Sequence, residues 1–323
     1  MDTFGRNIKI TISGASHAES VGVVISGVPA GLALTGDDFR KDIIRRAPNY
    51  LGSTPRKESD EPIISGGLSD GVTTGEDIVI TFLNKNVRDE DYVRFADIPR
   101  PGHADRVAAI KYGVSNDPRG GGKFSGRMTL PLVAAGTVAR KMLLLKGISL
   151  DAKVICLGGE GNEDRWLDMI AATMEEGDSL GGVVECTING VPVGVGEPFF
   201  DSVESLISHA VFSIPGVRGI EFGDGFAASS MKGSEHNDPW TADGPAKNGA
   251  GGINGGITNG APIVFRVAFK PTSSIARAQR TYNFGTGRMD VLEIGGRHDC
   301  CFVLRTPVIV ESVAALVIAD LMQ

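Results

Sequence analysis

The sequence predicts a fold of mixed strands and helices, and three observations carry that expectation. Short alternating runs such as IKITI (8–12) have the period of strands, whereas LPLVAAGTVARKMLLLKG (130–147) and VESVAALVIADLM (310–322) are apolar stretches of helical length. GVVISGVPAG (22–31) resembles GVVECTINGVPVG (182–194), and each is followed a few residues later by a helical segment. Two readings of that likeness stay open: two similar β–α halves meeting in one core, or two unrelated strand–turn–helix units. Glycine is the third signal, with 44 residues in 323, about twice the usual share of roughly 7%. Many backbone positions must therefore adopt unusual dihedrals or lie close to something.

In chain order, a strand is expected at 8–12 and another from 21 into a turn at 32. DDFRKDIIRRA (37–47) is a short helix with Asp37 and Asp38 in its first turn and Arg45 and Arg46 in its last, as the helix dipole favours, and Pro48 stops it. Residues 49–61 form a polar loop. Two short strands around a Gly-Thr turn occupy 63–84, and the charged residues 85–99 wrap the surface. Ala134, Ala135 and Gly136 suit the 130–147 helix to close packing. A strand at 150–157, a helix at 166–179, a strand pair in 181–198, a helix at 202–213 and a strand at 261–271 precede the C-terminal helix. Residues 214–260 are so glycine-rich that they read as a ligand or interface region. One domain covering 1–323 is expected.

The net charge of −7 argues against nucleic-acid binding. Cys156, Cys186, Cys300 and Cys301 form no C-x-x-C pair and read as reduced thiols of a cytoplasmic protein, without a metal site. No run approaches the ~18 apolar residues of a membrane span.

Against this acidic background the stretch Arg100–Arg127, RPGHADRVAAIKYGVSNDPRGGGKFSGR, gathers Arg119, Lys123 and Arg127 around three glycines. Guanidinium forks match carboxylate and phosphate oxygens, and the glycines let backbone N–H groups approach a charged ligand. His103 titrates near neutral pH. The stretch is neither a Walker A loop nor a dinucleotide fingerprint, for it lacks both GK[ST] and G-x-G-x-x-G. It reads as a site for a small anion; the plainer alternative is a basic surface loop with His103 as a turn residue.

Three motifs then resemble the chorismate synthase family. GASHAESVGVVISGVPAG (14–31) is similar to its Gly-Glu-Ser-His-Gly signature, RGGGKFSGRMT (119–129) to its Arg-Gly-Gly-Gly signature, and GGRHDCC (295–301) to its Arg-His-Asp-Pro-Cys signature. RPGHAD, GDGF, AGGINGGI and FKPTSSI fit the same family, so the resemblance spans the chain in order. It implies an α+β fold, a β-α-β sandwich of pseudo-symmetric halves with helices between the sheets, and a homotetramer to which the apolar C-terminal helix contributes contacts. The implied reaction is the anti-1,4-elimination of phosphate from 5-enolpyruvylshikimate 3-phosphate, requiring reduced FMN, with NADPH as a possible reductant. By resemblance, His17 protonates the departing phosphate, His103 protonates reduced flavin, and Asp299 assists removal of the C6 proton. Ser16, Arg46, Arg100, Arg127 and Arg297 hold the substrate. Lys123, Phe124, Ser125, Pro215, Gly216, Gly255, Lys270, Pro271, Thr272, Ser273 and Ser274 contact FMN, with Arg297 touching both ligands. Ala15, Ala18, Ser26, Gly126, Met128 and Cys300 depart from the family pattern, and NYLGST (49–54) lacks a basic residue usual there. A catalytically idle FMN-binding paralogue is the alternative function.

Overall fold

The computed structural model describes residues 2–87, 90–113, 116–296 and 298–323. Alternating apolar positions build two antiparallel sheets. The first contains β1 (Thr3–Phe4), β2 (Lys9–Gly14), β3 (Ser20–Ser26), β4 (Ile63–Gly66) and β5 (Ile78–Leu83) in the order β1-β2-β3-β5-β4. Its register sets Ile10 opposite Ile25 and Ile25 opposite Ile78, so one face is apolar and buried. The second contains β6 (Ser149–Leu157), β7 (Gly182–Asn189), β8 (Val217–Phe222) and β9 (Ile263–Phe269) in the order β8-β9-β7-β6. There Ile188 faces Leu150 on one side and Ile263 on the other.

The helices are α1 (Gly36–Arg46), α2 (Asp105–Tyr112), α3 (Thr129–Leu144), α4 (Trp166–Glu175), α5 (Val203–Val211) and α6 (Pro307–Leu321). Between the sheets, α3 packs on β3 and β5, α6 packs on β6 and β7, and the two helices pack on each other, flanked by α1 and α5. Their central crossing is tight: a Cβ on Gly136 would lie 2.2 Å from Ser312 Cβ and 2.4 Å from its Cα. Beside it runs a buried charge network. The Glu311 carboxylate, 1% exposed, accepts from Arg45 at 2.6 and 2.7 Å and from Arg140 at 2.6 Å. Arg140 continues to Asp42, which also accepts from Thr137 at 2.8 Å. Every charge has partners, which such burial demands.

Of the two readings of the sequence likeness, two similar halves is the correct one. With β1, α2 and α4 set aside as additions, each half runs strand, strand, helix, strand, strand, helix, and the order β2-β3-β5-β4 repeats as β6-β7-β9-β8. The likeness extends to single bonds. In SGVPAG (26–31) the Thr73 hydroxyl donates to Pro29 O at 2.6 Å and accepts from Leu32 N–H at 2.9 Å, while Gly31 N–H donates to Thr73 O. In NGVPVG (189–194) the Thr258 hydroxyl donates to Pro192 O at 2.6 Å and accepts from Val195 N–H at 2.9 Å, while Gly194 N–H donates to Thr258 O.

Several expectations need correction. Residues 181–198 hold one strand, because the NGVPVG turn leaves the sheet where a second was expected. Residues 63–84 contain an additional small hairpin, Leu68–Ser69 with Val72–Thr73, which carries the clasping threonine. Residues 85–99 do more than wrap the surface: Phe95 is buried with Leu292 and Ile294 in a small cluster of its own. The glycine-rich 214–260 segment contributes the regular strand β8. The C-terminal helix spends its apolar surface inside its own chain, where Val308–Asp320 are all buried, while Leu321 and Met322 at its end stay partly exposed.

Thr258→Val would leave the Pro192 carbonyl and the Val195 N–H without their hydroxyl partner in a buried turn. A loss of about 2 kcal/mol in urea denaturation is expected, and a similar loss for Thr73→Val. Gly136→Ala should cost more, about 3 kcal/mol, since its methyl would overlap Ser312 Cβ and Cα, which move only with the helix backbone.

Candidate active site

The loop between α2 and α3 contains the 3₁₀ turn Arg119–Phe124, in which Gly120, Gly121 and Gly122 take φ of 60°, 82° and 55° in succession. Only glycine adopts such a series without strain. Space imposes the same choice. A Cβ on Gly120 would meet His17 Nδ1 at 1.9 Å, one on Gly121 would lie 3.3 Å from His103 Nε2, and one on Gly122 would meet Asp117 O at 2.2 Å. The glycine turn is thus pressed against both histidines that the sequence singles out.

His17 is buried, its ring edge-on to Tyr92 at 5.1 Å between centroids, with Nδ1 3.2 Å from Ser16 Oγ. His103 Nδ1 lies 2.6 Å from Asp105 Oδ1. Arg100 grips the same carboxylate through Nε at 2.8 Å, Nη2 at 2.7 Å and its backbone N–H at 3.0 Å. Burial alone would raise the Asp105 carboxyl, but the hydrogen bonds from Arg100 and His103 outweigh it and hold the group far below the usual carboxylate range. An ionised Asp105 takes the Nδ1 proton of His103 as its hydrogen bond, which leaves Nε2 as the free basic nitrogen of the neutral ring.

Asp299 accepts from Thr54 N–H at 2.9 Å and from Arg305 Nη2 at 2.6 Å. Its cation is Arg305, a residue the sequence reading passed over inside an apolar stretch. Arg297 lies outside the described residues. Arg46 is buried, donating from Nε to Thr129 Oγ1 at 2.9 Å and from Nη2 to Gly126 O at 3.1 Å. Burial, then the positive charge of Arg305, pulls its guanidinium down to about 9, with Asp60 opposing and Arg127 adding to the effect; it remains a cation at neutral pH. Arg127 pairs with Asp60 and donates to Asn84 Oδ1 at 2.9 Å.

These groups surround a cavity of about 560 Å³. Of the residues named from sequence, Arg46, Arg100, His103, Lys123, Phe124, Ser125, Arg127, Pro215, Gly216, Lys270, Pro271, Thr272, Ser273, Ser274 and Asp299 line it. Ser16 and His17 do not: they lie behind Gly120. Gly255 is also absent from the lining, at the turn of the small hairpin formed by Ile253–Asn254 and Ile257–Thr258. Among the described residues, eight lysine and arginine side chains line the cavity against three carboxylates, Glu58, Asp60 and Asp299. Arg56, Arg218 and Arg305 are the cations missed in the sequence. Arg56 supplies a basic group only two positions beyond 49–54, where the sequence lacks one; the RKESDE run around it was its only signal.

A strongly cationic cavity with histidines and a carboxylate around it defines an enzyme for a small, multiply charged anion. The comparisons place it further: a family model described as chorismate synthase matches residues 8–323, and the chain belongs to that family. It is 52% identical over 324 residues to the chorismate synthase of Chitinophaga pinensis, covering 100% of this chain and 96% of that protein. Identity to the chorismate synthase of Korarchaeum cryptofilum is 43% over 348 residues, covering 99% and 96%. A crystal structure of chorismate synthase matches with a TM-score of 0.75 at 25% identity, covering 99% of this chain and 92% of that one. The activity is that of a chorismate synthase, a lyase of the shikimate pathway, and the idle paralogue finds no support.

The depressed Asp105 carboxyl has a consequence for acid stability. Its folded pKa lies below its unfolded value of about 3.9, so its contribution is present above that value and fades as pH falls toward the folded one. The stability difference between wild type and Asp105→Asn, measured by denaturation at stepped pH, should therefore shrink between roughly pH 5 and pH 2.

Proposed function

We propose that the cavity takes 5-enolpyruvylshikimate 3-phosphate together with reduced FMN, and that phosphate leaves C3 as a proton leaves C6, giving chorismate. The observation that carries this reading is the convergence of eight cationic side chains on one cavity in a chain of net charge −7. Its volume falls within the roughly 300–1,000 Å³ typical of ligand pockets. The wall expected to hold FMN fits a hydrogen-bonding guest: Thr272 Oγ1 is buried there without a partner among the described residues, between Lys270 and the Ser273 and Ser274 hydroxyls. Lys123, Phe124, Ser125, Pro215, Gly216 and Lys270–Ser274 would hold the cofactor, whose reduced ring would lend electron density to the breaking C–O bond.

In this reading Arg46, Arg100 and Arg127 bind the carboxylates and phosphate of the substrate. His103, held at Nδ1 by Asp105, would as the imidazolium give its Nε2 proton to the reduced flavin and be left with a bare Nε2. His17, one glycine behind the wall, protonates the departing phosphate once the Gly120 turn shifts. Asp299 assists removal of the C6 proton. Among the described residues no helix is long and apolar enough to cross a membrane; a cytoplasmic homotetramer of one domain per chain, with NADPH as reductant, completes the proposal.

An anaerobic assay with reduced FMN and the substrate, following phosphate release, tests the reaction. His103→Ala should slow it ~100-fold with the fold intact. Asp299→Asn should still bind both ligands yet lose most phosphate release. If Asp299 only tethers Thr54 and Arg305, the variant should instead be less stable but fully active per folded molecule, and that result would refute its assignment.

A further inference from the structure

We infer that Arg56, steadied by Glu58, fixes the tautomer of His17 through the hydroxyl of Ser16, so that the neutral ring carries its proton on Nε2. The inference rests on the proposed role of His17 as a proton donor and adds three positioning residues to it.

Donor and acceptor arithmetic carries the argument. Arginine has N–H donors and no acceptor. Arg56 Nη1 lies 3.2 Å from Ser16 Oγ, and its Nη2 donates to the Ser16 carbonyl at 3.4 Å. The Ser16 hydroxyl therefore accepts from Arg56 and still has its own proton to place. Ser16 is fully buried, so water does not take that proton. Among the described residues the acceptor in reach is His17 Nδ1, at 3.2 Å. Nδ1 thus accepts, and the ring proton sits on Nε2.

Glu58 makes the arrangement rigid. Its Oε1 accepts from Arg56 Nε at 3.2 Å and Nη2 at 2.8 Å, and its carboxylate is itself held by the backbone N–H groups of Lys85 and Asn86, both at 3.1 Å. Burial tends to raise its carboxyl, while Arg56 and the two amides lower it further, so it stays ionised. Among the described residues, Tyr92 stands edge-on to the ring, and the Asp117 carboxyl, lowered first by its hydrogen bond from Arg119, is lowered also by the charge of a protonated His17. His103 is wired in the opposite sense: its Nδ1 lies 3.1 Å from Arg100 Nη2 but 2.6 Å from the ionised Asp105 carboxylate, and the shorter contact makes it a donor to Asp105. The two histidines therefore flank one glycine turn in opposite tautomers, one presenting a proton on Nε2 and the other a bare Nε2.

The test is a long-range ¹H–¹⁵N correlation spectrum of the full chain with ¹⁵N-labelled histidine near pH 8, where an unperturbed imidazole is neutral. The His17 signals are assigned by their loss in His17→Gln. Wild type should show the Nε2–H form for His17 and the Nδ1–H form for His103. Ser16→Ala and Arg56→Met should convert His17 to a tautomer mixture, Glu58→Gln should do so in part, and Arg56→Lys should restore much of the wild-type signal. In the phosphate-release assay Arg56→Met should lower kcat about 10-fold or more with little change in KM. An Nδ1–H form in the wild-type protein overturns the inference, whether or not any variant folds. So does an Arg56→Met protein that keeps the Nε2–H form and changes only KM, which would make Arg56 a substrate contact. A wild-type protein that releases no phosphate refutes the proposed reaction instead, and leaves the tautomer measurement standing.

Discussion

The backbone contact of α3 with α6 at Gly136 and Ser312 is the constraint on which the rest of the structure depends. It brings the two halves into register, because α3 carries the first sheet and α6 the second. It also decides where the cavity opens. Thr129 at the start of α3, and Thr306 and Ile309 at the start of α6, lie in the cavity wall, so the positive ends of two long helix dipoles meet there. The last turn of α1 is divided by the same crossing: Arg45 turns to the buried Glu311 of α6, while Arg46 turns to the cavity.

The cavity solves an electrostatic problem common to anion sites. A cluster of bare guanidinium groups would repel itself and cost heavily to desolvate. Here Arg100 has Asp105, Arg305 has Asp299, Arg56 has Glu58, and Arg46 and Arg127 share Asp60. Two cations on one carboxylate leave an excess of positive charge where a phosphate or carboxylate can enter. Donor geometry is thereby held in place before any ligand arrives, which is what preorganised binding requires.

Much of this was legible in the sequence, for identifiable reasons. The long apolar runs at 130–147 and 310–322 have one physical interpretation, and the repeated GVP turn made a structure built twice one of its two readings. The RGGG motif announces backbone that no other residue allows. What escaped notice depends on contacts distant in sequence. Arg56 and Arg305 look like ordinary loop and helix-start cations until folding places them beside Ser16 and Asp299, 40 and 6 positions away. Phe95 is hidden because few apolar residues mark its charged stretch, and the short helix α2 because its Val107 and Ile110 face outward and leave no buried stripe to read. The C-terminal helix misled in the other direction: apolarity shows that a helix is buried, but not against what.

The clasping threonines, Thr73 and Thr258, hold equivalent turns in the two halves, and the helix crossing joins the two halves' equivalent helices. Gly136 stands five residues after Pro131 and Ser312 five after Pro307, so the two residues that touch are counterparts. Where counterparts touch, each half meets its own equivalent. Whatever volume one half places there, the other must surrender, and the pair is limited to a single hydroxymethyl group between them. Away from the contact the halves are free to diverge: the position before Ser312 is a buried glutamate, whereas its counterpart before Gly136 is an alanine. Symmetry thus survives as a shared allowance of space at one point and is relaxed in charge one residue away.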